Sequence, residues 1–193
     1  MTSKQEKILQ KLGLFSLSQA KRIGITQQEL SRFVKDEKIL RMERGIYLHP
    51  KAQSSREIDF KVACRKFGSK SAIGGLSALF YYNLTDQVLQ QTWLIVPPER
   101  RGNSKRYRLI RTKTPLKYGI IDENDFRIVS IERAIIEGFK LASKIGERTM
   151  IKAVRIAIQQ KLTTLNKIGK TAKELRLDSY LTKYFEAIIG AIE

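Results

Sequence analysis

The chain has 193 residues, with 37 Lys plus Arg against 19 Asp plus Glu, a formal net charge of +18 and a sequence pI of about 10.1. Its hydrophobic content of 42% is enough for a folded core and excludes a disordered polyelectrolyte, and the length bounds it to ~1–2 domains. A charge of this size implies a polyanionic partner.

No apolar run approaches the ~20 residues of a membrane span, and the opening Met1-Thr2-Ser3-Lys4-Gln5-Glu6 has no signal-peptide pattern. One cysteine, Cys64, and one histidine, His49, exclude an internal disulfide framework and a Cys-rich zinc site. Cys64 lies in the apolar stretch Phe60-Lys61-Val62-Ala63-Cys64 and reads as a core residue. Gly74-Gly75 does not make a phosphate loop, and no G-x-S-x-G precedes a helix. The expectation is a reduced, cytoplasmic, non-enzymatic protein with no catalytic residue, cofactor or metal site.

In chain order, Ser3-Lys4-Gln5-Glu6 reads as a capping box opening a helix with Ile8, Leu9 and Leu12 on one face, stopped by Gly13. Ser16-Leu17-Ser18-Gln19 is a second box, and its helix turns Ala20 and Ile23 inward before Gly24. Thr26-Gln27-Gln28-Glu29 is a third; Ile25 and Leu30 form a hydrophobic staple, and Leu30, Phe33 and Val34 share a face. Only Gly24-Ile25-Thr26 separates the second and third helices, the short turn a helix-turn-helix needs. Ile39-Leu40-Arg41-Met42 and Ile46-Tyr47-Leu48 flank Glu43-Arg44-Gly45 as a hairpin. Residues 1–50 are therefore expected to be a winged helix-turn-helix.

Burying Leu30, Phe33 and Val34 turns Gln27, Gln28, Ser31, Arg32 and Lys35 outward. Gln pairs bidentately with adenine and Arg with guanine in the major groove, so Gln27, Gln28, Ser31 and Arg32 are the expected base-reading residues. Lys21, Lys35, Arg41 and the wing-tip Arg44 are the expected phosphate contacts.

A polar connector, Pro50 to Ser55, precedes a second domain over 56–193, whose first helix starts at Ser54-Ser55-Arg56-Glu57 and carries Ile58, Val62 and Phe67. A short buried helix follows from Leu76 to Tyr82. Strands are expected at Thr92–Val96, Tyr107–Ile110 and Phe126–Val129, and Ser130 caps a helix through Ala134, Ile135 and Phe139. From about Glu147 the chain reads as helices, the last with an apolar stripe of Tyr180, Leu181, Tyr184, Phe185, Ile188 and Ile192 read as core. The fold class is thus α/β (α+β): a winged helix-turn-helix followed by a small mixed α/β domain with a helical C-terminus.

Residues 97–117 hold eight bases and one acid, whereas residues 1–50 hold ten bases and five acids. Arg100, Arg101, Lys105, Arg106, Arg108 and Arg111 form this second basic patch, read as a flexible hairpin tip able to track a phosphate backbone, of the same DNA or of an RNA.

Gly24-Ile25-Thr26 through Arg44-Gly45-Ile46-Tyr47, then Ser71-Ala72-Ile73-Gly74-Gly75-Leu76-Ser77-Ala78-Leu79, then the strand ending Val96-Pro97, resemble the AbiEi family of type IV antitoxins. Ser130-Ile131-Glu132-Arg133-Ala134 is similar to that family's later helix start, while Gly74 and Tyr82-Asn83 stand where Ser and His-Gly are common. The resemblance implies a repressor that binds repeats in its own promoter and counteracts a cognate nucleotidyltransferase toxin without a stable complex. It also implies a place in abortive infection, a phage-defence response.

Three alternatives remain. An effector-responsive regulator unrelated to a toxin would share the N-terminal domain. An RNA-binding protein would use the 97–117 segment. A nuclease would need two carboxylates and a Lys around a divalent metal; Asp122, Glu123 and Asp125 cluster, but no D…(D/E)-x-K strand follows, and they read as a solvated turn.

Overall fold

A computed structural model describes residues 1–52, 57–102, 104–123 and 125–192. It is mixed α/β and divides into two units, Met1–Lys66 and Phe67–Glu193.

The first unit runs α1 (Ser3–Leu12), β1 (Leu14–Ser16), α2 (Leu17–Arg22), α3 (Gln27–Lys35), β2 (Leu40–Glu43), β3 (Ile46–Leu48) and α4 (Ile58–Phe67), whose last residue passes into the second unit. The three strands form an antiparallel sheet in the order β1-β3-β2. The short strand β1 was not expected: three residues are too few to show alternation, and its place is set by pairing Leu14 to Leu48 and Ser16 to Ile46.

The caps follow the chemistry of the side chains. Thr26 Oγ1 accepts from Glu29 N at 3.2 Å, and Glu29 Oε2 accepts from Thr26 N at 2.8 Å. Ser16 and Gln19 make the same reciprocal pair. The first box is shifted one residue from expectation: Thr2, not Ser3, caps α1, exchanging bonds with Gln5. Leu9, Phe15, Ala20, Ile25, Leu30, Phe33, Ile39 and Tyr47 make one buried core, with Ile23 and Val34 packed against it. Leu12, expected on the inner face of α1, is exposed instead.

The division at Lys66 differs from the expected boundary at the polar connector, because α4 packs with the first unit. Val62 is buried with Leu14 and Ile46. Arg65 donates to the Leu14 carbonyl at 2.7 Å, and Lys66 pairs with Glu43 at 2.9 Å. The expected cap at Ser54-Ser55-Arg56, with the end of the connector, lies outside the described residues. Cys64 is buried in this helix, as expected.

The second unit runs β4 (Ala72–Ile73), α5 (Gly75–Tyr81), β5 (Thr92–Val96), β6 (Tyr107–Arg111), β7 (Ile120–Glu123), β8 (Phe126–Val129), α6 (Ile131–Lys140), α7 (Ala142–Ile145), α8 (Glu147–Gln159), α9 (Leu165–Leu175), α10 (Asp178–Thr182) and α11 (Phe185–Ile192). Five strands form a mixed sheet in the order β6-β5-β4-β8-β7. Every residue of β5 is buried, as for a strand covered on both faces. Ser77 of α5 ties helix to sheet by accepting from Trp93 N at 2.8 Å. At Gly75, φ is +52° and an added Cβ would lie 2.7 Å from Trp93 Cε3, so only glycine fits where α5 leaves the sheet.

Two expectations fail in this unit and a third holds in part. β5 and β6 run parallel, pairing Thr92 with Tyr107 and Val96 with Arg111; the described residues between them, 97–102 and 104–106, therefore belong to a crossover back along the sheet, not a hairpin tip. Asp122 and Glu123 end a strand, β7, that pairs with β8 before Asp125 turns the chain; Asp122 holds Arg127 at 3.0 Å. The last apolar stripe is split between α10 and α11. There only Ile188 is buried, while Phe185 is 54% exposed.

Candidate nucleic-acid interface

The surface of the first unit is set by α3. Its core side holds Leu30 and Phe33, which leaves Gln27, Gln28, Ser31, Arg32 and Lys35 exposed along the opposite side. Gly24, at φ +77°, makes the sharp turn that lets four residues, Ile23 to Thr26, join α2 to α3. Ser31 donates back to the Gln27 carbonyl at 3.0 Å, so its hydroxyl retains an acceptor lone pair for an outside donor. The bonds from Thr26 hold the Glu29 carboxyl below its usual range, fixing the one acidic group at the start of this helix as the capping anion.

Lys21, Lys35, Arg41 and Arg44, expected from the sequence to meet phosphates, are likewise exposed. Lys21 is in the last turn of α2 and Lys35 in the last turn of α3, where cations also complement the helix dipole. Arg41 stands opposite Tyr47 on β2, and Arg44 occupies the β2–β3 turn. Among the described residues none of Lys21, Arg32, Lys35, Arg41 and Arg44 is in an ion pair. His49, just after β3, is buried; burial holds its imidazole below the usual value, and its Nδ1 accepts from Lys51 N at 3.2 Å.

In the second unit the expected patch is ordered by its own contacts. The Arg111 Nε donates to the Arg100 carbonyl at 2.9 Å and its NH2 to the Gly102 carbonyl at 3.3 Å, clamping the crossover onto β6. Guanidinium groups lie over aromatic rings: Arg100 on Phe67 at 5.4 Å, Arg106 on Tyr107 at 5.8 Å and Arg108 on Trp93 at 4.4 Å. Arg101 and Lys105 are exposed, and the Lys105 carbonyl accepts from Gln91 Nε2 at 3.0 Å. Asn103, within this segment, lies outside the described residues.

Sequence reasoning missed the charged pair inside α6. Arg133 is fully buried and donates through Nε to Glu137 Oε1 at 3.0 Å, and through NH1 to the carbonyls of Pro115 and Tyr118. Glu137 is 4% exposed, and burial pushes its carboxyl up against the opposing pull of Arg133. The Arg-to-Glu spacing of four was the available signal. Among the described residues no three His, Cys, Asp or Glu side chains form a metal-ligand group, and no helix is long and apolar enough to cross a membrane.

Residues 5–50 match the model of a protein family described as "Transcriptional regulator, AbiEi antitoxin". The matched segment runs from α1 through the β2–β3 hairpin, the part of the chain that carries Gly24-Ile25-Thr26 and Arg44-Gly45-Ile46-Tyr47. No curated protein matches the chain.

Proposed function

We propose that the first unit is a winged helix-turn-helix that binds operator DNA. In this reading α3 enters the major groove, with Gln27, Gln28, Ser31 and Arg32 toward base edges, and Lys21, Lys35, Arg41 and Arg44 meet the flanking phosphates. The observation that carries it is the shared exposure of these eight side chains around one helix and one hairpin, within a segment matched to a family of transcriptional regulators. The second patch, Arg100 to Arg111, adds phosphate contacts, which accounts for the excess of charge beyond residue 50. The protein acts in the cytoplasm.

The biological role we infer is that of an antitoxin. The chain represses its own operon at repeats in the promoter and, through the second unit, counteracts a nucleotidyltransferase toxin without a stable complex. The family description of residues 5–50 supports this role. Binding is tested with duplex DNA from upstream of the gene, against a scrambled duplex and an RNA of equal length. The expected result is preference for the upstream duplex, relaxed by Arg32→Ala at a cost of about 1–3 kcal/mol if it pairs with guanine. Equal affinity for all three nucleic acids would refute specific recognition. Rescue of cells expressing the neighbouring toxin gene separates the antitoxin role from that of an effector-responsive regulator.

A further inference from the structure

A second feature of the Phe67–Glu193 unit shares Arg108 and Arg111 with the basic patch and adds Lys140, Lys144 and Glu137, which lie outside that patch. A cavity of about 280 Å³ opens between β5, β6, α6 and α7. Lys140, Lys144 and Arg111 are exposed in its lining, Arg108 is half-buried, and Glu137 is its buried wall. None of the four cations is in an ion pair among the described residues. Glu137 Oε1 is taken by Arg133, whereas Oε2 is buried with no hydrogen-bond partner among the described residues. A buried carboxylate oxygen left without a donor costs free energy.

We propose that this cavity binds a single nucleotide carrying an exocyclic amino group, with its phosphate at the Lys140, Lys144 and Arg111 mouth and its amino group donating to Glu137 Oε2. Each part of the ligand answers a part of the cavity. Three exposed cations favour a phosphate. The planar Arg108 guanidinium, held 4.4 Å over the Trp93 ring, is a platform on which a base stacks. One unfilled acceptor selects an amino N–H over a carbonyl oxygen, as a carboxylate accepts from the cytosine N4 group. The volume lies at the small end of ligand pockets, which run on the order of 300–1,000 Å³, and suits one pyrimidine nucleotide.

Trp93 is the only tryptophan in the chain, so its fluorescence reports on the cavity directly. The full-length protein is titrated with cytidine 5′-monophosphate, uridine 5′-monophosphate and ribose 5-phosphate. Cytidine 5′-monophosphate should saturate the Trp93 signal and bind at least about tenfold tighter than either of the others, since only it brings both phosphate and amino donor. Lys140→Ala with Lys144→Ala, two exposed positions outside the 97–117 patch, should weaken it by a further factor of at least about ten. Glu137→Gln, checked for folding by circular dichroism, should erase the preference for cytidine over uridine. Equal affinity for all three probes, no saturable signal, or an unchanged affinity in the double Lys variant would each overturn the proposal.

Discussion

The salt dependence of DNA binding separates the contributions of the two basic regions. Each neutralised phosphate contributes about 0.9 to the slope of log affinity against log salt. Lys21, Lys35, Arg41 and Arg44 therefore give a slope near 3.6 per protomer, and Arg100, Arg101, Lys105 and Arg106 add as much again, for about 7 in all. Raising salt from about 50 to about 200 mM should then cost the parent protein roughly 10⁴-fold in affinity, and the variant with Arg100, Arg101, Lys105 and Arg106 replaced by Ala only about 150-fold. Fluorescence anisotropy with a labelled operator duplex gives both lines. Because Arg100 covers Phe67 and Arg106 covers Tyr107, the variant is first checked for an unaltered circular dichroism melt. An unchanged slope in a folded variant would remove the crossover segment from the interface and leave the charge beyond residue 50 to another partner.

Arg133→Met should lower the unfolding free energy by about 3–5 kcal/mol, because it strands a buried carboxylate and takes a donor from the Pro115 and Tyr118 carbonyls. Urea denaturation measures the loss, and adding Glu137→Met should recover part of it. Thr26→Ala should cost about 1 kcal/mol by removing the cap of α3, seen as a lower melting temperature together with weaker operator binding. The imidazole of His49 titrates below its unfolded value, so the unfolded chain binds that proton more tightly. Its contribution to stability is whole above about pH 6.5 and is lost as pH falls through the folded value. Melting temperatures above and below that range should therefore differ more in the parent than in His49→Asn, which keeps an acceptor for Lys51 N; equal differences would show that the imidazole is not the linked group.

The first unit was legible because its signals are local. The boxes at Ser16 and Thr26, the Gly24 turn and the period of Leu30 and Phe33 each fix a boundary or a face within four residues, so the exposed side of α3 followed directly. The second unit was less legible because its organising contacts are distant. Nothing within Thr92–Val96 or Tyr107–Arg111 encodes that they run parallel. The two-residue β4 carries no period, and its place depends on Ile95 and Ile128. No glycine or proline marks the break between α10 and α11, since Lys183 and Tyr184 fill it. The Glu137 cavity joins residues 93, 108, 137 and 144, which only the closed sheet and helices bring together.

The strand β6 ends one side of the five-stranded sheet, so its outer backbone groups face outward in the order β6-β5-β4-β8-β7. An outermost strand is a template on which another extended chain can add itself, and charged side chains are a common defence against that. Arg108 and Arg111 are the charged side chains that this strand carries. Stripping those charges, for whatever purpose, should therefore also raise the tendency to aggregate above that of the parent, so light scattering belongs beside every assay of such a variant.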